Sequence, residues 1–146
     1  MAATIRLTVP GTLRYRDVAI RVVAESARML SSSDPTFDTA VIAAFGEIFN
    51  NVAIHAYQRC RGPIEISIAP GDRELVIEVK DQGHPFDPSA VPPLPTDLDE
   101  DALPEGGMGI HIAKTMLDDM TYEPGPPNQW RLYKRLPPAQ VAVGRS

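Results

Sequence analysis

Residues 4–9 alternate: Ile5, Leu7 and Val9 fall on one side, Arg6 and Thr8 on the other. A period of two predicts a strand with one buried face. From 15 to 30 the period changes. Val18, Val22, Val23, Ala27 and Leu30 recur at helical spacing and predict an amphipathic helix. A second helix is predicted over 38–58, capped by Asp38 or Thr36. Alternation returns at Ile64, Ile66 and Ile68, breaks at Pro70-Gly71-Asp72, and resumes at Leu75, Ile77 and Val79, so 63–81 reads as a hairpin. Residues 108–120 read as a third helix, with Ile110, Ala113, Leu117 and Met120 as its buried stripe. Segments 121–123 and 129–136 flank Pro124 through Asn128 as a closing hairpin. The order is strand, helix, helix, strand, strand, loop, helix, strand, strand. It implies an α+β domain, a two-layer sandwich with helices on one face of a sheet.

Composition sharpens this picture at three points. Of 15 prolines, six fall between Pro85 and Pro104, whereas none lies in 36–62 or 105–123. Proline breaks helices, so the two empty stretches are the helix candidates and 84–105 is a long loop. That loop carries Asp87, Asp97, Asp99, Glu100, Asp101 and Glu105 and no Lys or Arg. The net charge of −5 argues against nucleic acid as the main ligand, because phosphate binding needs clustered cations. A single cysteine, Cys60, excludes an intrachain disulfide and a cysteine-rich zinc site. The apolar runs fall short of the ~20 residues a membrane span requires, and the first residues form no apolar signal core. The expectation is one domain over 1–146, soluble and cytoplasmic, with no membrane association.

Three features carry chemistry. On the second helix, Glu47, Asn51 and His55 stand at i, i+4 and i+8 and share one stripe amid Val41, Phe45, Ile48, Phe49 and Val52. An amide oxygen there suits a hard cation, and a carboxylate one turn away suits a base. The bland alternative is a polar face turned to solvent. Parity puts Asp81 on the side of Leu75, Ile77 and Val79, facing the helices. Such a carboxylate can accept a hydrogen bond from a ligand amine, or it can simply end a strand. Glu105-Gly106-Gly107-Met108-Gly109-Ile110 runs straight into the third helix, whose first N–H groups suit phosphate. The P-loop spacing is absent.

In combination, Glu-x-x-x-Asn on a helix, Asp-x-Gly ending a strand, and Gly-x-Gly opening a helix after a long loop resemble the ordered boxes of the GHKL superfamily. That superfamily includes DNA gyrase, the heat-shock 90 chaperone, MutL proteins and histidine kinases. Glu47 through Tyr57, Asp81 through Pro88 and Gly107 through Tyr122 are similar to the small bacterial anti-sigma factor serine/threonine kinases. Asn128, Trp130, Leu132 and Lys134 resemble that family's last strand. The resemblance implies the Bergerat ATP-binding fold: a mixed sheet, helices on one face, and an ATP lid at about 84–106. It implies ATP or ADP and Mg²⁺ as cofactors, with Asn51 on the metal and Asn50 ranked below it. Glu47 would be the catalytic base and Asp81 would read the adenine amino group. Gly83 would keep the backbone close to the base. Gly107, Met108 and Gly109 would wrap the phosphates, with His55 near them, although a packed His55 is the simpler reading. His84 and His111 are read as surface or lid residues. The implied partners are a STAS-domain anti-anti-sigma protein and a sigma factor, with a homodimer allowed.

The sequence departs from the family at Pro85, where a glycine is common, and in its lid without cations. Mg²⁺, the helix N-terminus, or a cation elsewhere such as Lys114 or Arg59 would then meet the γ-phosphate charge. The competing function is a nucleotide-controlled binding module with little or no phosphoryl transfer. The catalytic piece of a histidine kinase and gyrase- or MutL-type action are the weaker alternatives.

Overall fold

The computed structural model describes residues 3–31, 34–57, 61–86 and 108–138. Five strands form one sheet: β1 (Ile5–Pro10), β2 (Pro63–Pro70), β3 (Glu74–Asp81), β4 (Asp119–Glu123) and β5 (Asn128–Arg135), in the order β1-β2-β3-β5-β4. Three α-helices accompany them: α1 (Arg16–Ser31), α2 (Pro35–Asn51) and α3 (Met108–Met116). The element order is the predicted one. The sheet is not mixed: all four pairings are antiparallel. The cause lies in the connection from β3 to β4. These strands run in the same direction, but β5 inserts between them and pairs antiparallel with both.

Helix α2 is the centre of the core. Asp34 caps it, accepting from the amides of Thr36 and Phe37 at 3.1 Å each, with Pro35 in the first turn, so the cap is neither Asp38 nor Thr36. Phe37, Val41, Phe45, Ile48, Phe49 and Val52 are buried. They pack with Ile64, Ile66, Ile68, Leu75, Ile77, Val79 and Leu132 from the inner face of the sheet. Full burial of each such side chain stabilises by about 1.5–3 kcal/mol. The run Pro35–Ala56, 22 residues, is long and apolar enough to cross a membrane, contrary to the expectation from its sequence. Most of its large apolar side chains lie in this core cluster, whereas Ile54 is exposed, so it is the central helix of a folded layer.

Two predicted stripes shift. In α1 the buried positions are Ala19, Val23, Ser26 and Ala27, while Val18 is half exposed. Ser26 is satisfied by donating to the Val22 carbonyl at 2.7 Å. Helix α3 stops at Met116, and Met120 belongs to β4, paired with Leu132. Sheet pairing wins there: the Asp118 amide already donates to the Tyr133 carbonyl at 3.1 Å.

Candidate active site

Beyond Asn51 the α2 helix widens into a π turn, Val52–Ala56, closed by the Tyr57 amide donating to the Val52 carbonyl at 3.1 Å. Tyr57 then locks the helix end to the sheet. Its hydroxyl donates to the Pro63 carbonyl at 2.6 Å and accepts from the Gln82 amide at 2.8 Å. Gly11 and Gly62 make room for its ring, since a Cβ at Gly11 would stand 2.4 Å from Cδ2 of Tyr57. The His84 amide donates to the Ala56 carbonyl at 2.8 Å. Gly83 is pressed against the same carbonyl, so a Cβ there would lie 2.3 Å from it. The glycine is therefore required by helix packing, a reason its sequence context did not reveal.

This locking brings the polar stripe of α2 against α3. Glu47, Asn50, Asn51, Ile54, His55, Gly109 and Ile110 line one pocket of about 320 Å³. Gly109 matters for its missing side chain: a Cβ would meet Oε2 of Glu47 at 2.5 Å. The carboxylate thus stands over the first turn of α3, where helical N–H groups have no intrahelical partner. Asn51 is only 8% exposed. Among the described residues no hydrogen bond takes up its side-chain oxygen. His55 is exposed at the pocket rim and Asn50 lines the pocket beside Asn51. Met108 opens α3, whereas Gly107, Arg59 and the lid beyond Phe86 lie outside the described residues.

Asp81, 2% exposed, lies on the inner face as parity demands. Its Oδ1 accepts from the Gly83 amide and from the Asn128 side chain, each at 2.9 Å. Burial pushes the carboxyl above its ordinary pKa, opposed by these two hydrogen bonds. Asn128, 1% exposed, ties the turn together. Its Nδ2 also donates to the Gly83 carbonyl at 2.9 Å, and its Oδ1 accepts from the Gly125 amide at 2.8 Å. Asn128 and Tyr57 stand in the sequence only as part of the resemblance, which gives them no role in the site. Parity could have found Asn128, because it shares the inward side of β5 with buried Trp130 and Leu132.

A second pocket of about 170 Å³ is bounded by Phe86, Ile110, His111, Lys114, Tyr122 and Trp130. Asp81 does not line it; Trp130 is one inward strand position from the Asp81–Asn128 pair. Ile110 is shared with the Glu47 pocket, so the two adjoin across the first turn of α3. His111 therefore faces a cavity and is not merely a surface residue, while His84 is exposed. Among the described residues no group of three or more His, Cys, Asp or Glu could hold a metal. The amide oxygen of a largely buried asparagine, with a carboxylate on the same pocket wall, instead suits a Mg²⁺ that arrives with phosphates, since that ion takes few protein ligands.

The histidine kinase-like ATPase domain matches residues 9–133. The chain belongs to this family. An anti-sigma F factor of Clostridium kluyveri is 34% identical over 101 residues, 66% of this chain and 70% of that protein. The serine-protein kinase RsbW of Bacillus cereus is 30% identical over 121 residues, covering 80% and 74%. A solved structure of the RsbU and RsbW domains of a Mycobacterium tuberculosis protein superposes with a TM-score of 0.60 at 15% identity. That match covers 92% of this chain and 32% of the other, and it supports the fold alone. Within the histidine kinase-like ATPases, an ATP-binding family, this chain groups with anti-sigma factors and serine-protein kinases.

Proposed function

We propose that the chain is an ATP-dependent protein serine/threonine kinase that doubles as an anti-sigma factor in the bacterial cytoplasm. It would phosphorylate a STAS-domain anti-anti-sigma protein and hold a sigma factor inactive, with nucleotide and phosphorylation state biasing the exchange. The observation that carries this reading is the shared pocket of Glu47, Asn51 and Gly109. The adenine would lie at the Asp81 end, its amino group donating to Oδ2, with Gly83 beside the base. The phosphates would run past Ile110 to the first turn of α3, where the amides around Met108 and Gly109 face them and His55 stands at the rim. Asn51 would hold Mg²⁺ through its amide oxygen, and the ion would supply charge neutralisation on the phosphates. Glu47 would take the proton of the acceptor hydroxyl as its oxygen bonds to the γ-phosphorus. The bond to the β–γ bridging oxygen breaks and its electron pair leaves with ADP. Positioning and charge neutralisation carry most of such a transfer.

The second reading is a nucleotide-controlled binding module, favoured by the lack of any Lys or Arg between 84 and 105. Phosphate transfer from radiolabelled ATP to a candidate STAS partner separates the two. Under the kinase reading, Glu47→Gln keeps nucleotide affinity, keeps sigma binding and slows transfer by about 10²–10⁴-fold. Transfer at the wild-type rate would remove Glu47 as the base. No transfer by the wild type to any STAS partner would leave the binding module.

A further inference from the structure

Directly after Gly83, over the described first residues of the lid, the backbone is fastened at two amides. The His84 amide is bonded to the Ala56 carbonyl at 2.8 Å. Pro85 has no N–H to offer. The next donor, the Phe86 amide, bonds to the Tyr122 hydroxyl at 2.7 Å. Rings reinforce that bond. Phe86 meets Tyr122 edge-on at 5.9 Å and lies 5.5 Å from Trp130, and Tyr122 lies 4.4 Å from Trp130. Tyr122 and Trp130 are directly paired on β4 and β5, and Trp130 pairs with Val79, one inward position from Asp81 and Asn128. The cluster therefore starts where the Asp81 turn ends. It forms one side of the 170 Å³ pocket, with Ile110 also lining it.

We propose that Tyr122 is a positioning residue of the nucleotide pocket: its hydroxyl and ring fix Phe86, and with it the chain leaving Gly83, so that the pocket walled by Phe86, Tyr122 and Trp130 keeps its width. The inference rests on the nucleotide reading above. It assigns Tyr122 no contact with reacting atoms. Burial of Tyr122 and the nearby Asp81 charge both favour the neutral phenol, while the Phe86 bond opposes them.

Calorimetry of Mg-ADP binding to the full chain tests this, read together with the fluorescence of Trp130, which is the chain's single tryptophan. Tyr122→Phe keeps the ring and deletes the bond. It should weaken ADP by about three- to tenfold, the worth of one neutral hydrogen bond, and shrink the nucleotide-induced change in Trp130 emission. Tyr133→Phe is the control. It deletes a comparable bond, Tyr133 to Glu74 at 2.8 Å, on the other face of the sheet, and should leave both signals unchanged. If Tyr122→Phe is too unstable to assay, Phe86→Leu removes the ring contacts from the other side and should show the same two effects. Wild-type affinity and emission response in Tyr122→Phe, or equal losses in Tyr133→Phe, would overturn the positioning role. A wild-type chain that binds no Mg-ADP would overturn the nucleotide reading and this inference with it.

Discussion

At the scale of single residues, Asp81 shows how a buried charge is tolerated for what it can accept. Both of its hydrogen bonds end on Oδ1. An asparagine at 81 could still accept both through its own oxygen, while presenting NH₂ where Oδ2 had been. Asp81→Asn should therefore fold, yet bind adenine nucleotide about ten- to hundredfold more weakly. The pH dependence has a definite sign. Because burial raises the folded pKa, the favourable contribution of protonated Asp81 is present below its ordinary value. It is lost as pH rises through the raised value. The variant should thus match the wild type in acid and gain relative stability toward neutrality, as thermal melts at several pH values would show. A variant that melts as expected and binds ATP like wild type would end the base-reading role. The stripe of Glu47, Asn51 and His55 was legible from spacing alone, because helical geometry is local. Parity could show that Asn128 points inward but not that it bonds Asp81, which is 47 residues away.

Elements were legible wherever one periodicity ruled, and blurred wherever two elements competed for the same residues. The start of α2 moved because Pro35 reads as a break, yet Asp34-Pro35 is a cap followed by a first-turn proline. Met120 moved from helix to strand because pairing with Leu132 outweighed a continued helical stripe. The joint between α2 and the sheet is the least readable part. The bond from Gln82 to Tyr57 spans 25 residues, and the two glycines that admit the ring lie on other segments. Tyr57→Phe leaves the Pro63 carbonyl and the Gln82 amide without their partner. Urea unfolding should then report a loss of about 1–2 kcal/mol, the net worth of two part-buried hydrogen bonds. A change below about 0.5 kcal/mol would mean that packing alone holds the joint.

Over the whole molecule, sequence patterns revealed the layers, the order of elements and the two hairpins β2–β3 and β4–β5, but not which strand of one hairpin lies beside the other. Alternation at 128–135 says that β5 has a buried face; it does not say that β5 enters between β3 and β4. That insertion decides when the pocket can exist. A chain emerging from the ribosome presents Glu47, Asn51 and Asp81 well before Asn128, Trp130 and the partner strand of β3 have been made. Until then Asp81 lacks the Asn128 side-chain amide, and the outer edge of β3 is unpaired. A chain ending at Pro124 should accordingly bind no Mg-ADP in a filter assay, and wild-type retention by that chain would show that β5 is dispensable. Under the nucleotide reading proposed above, incomplete copies would then take no share of cellular ATP, and nucleotide capture would begin only once the closing hairpin has been made.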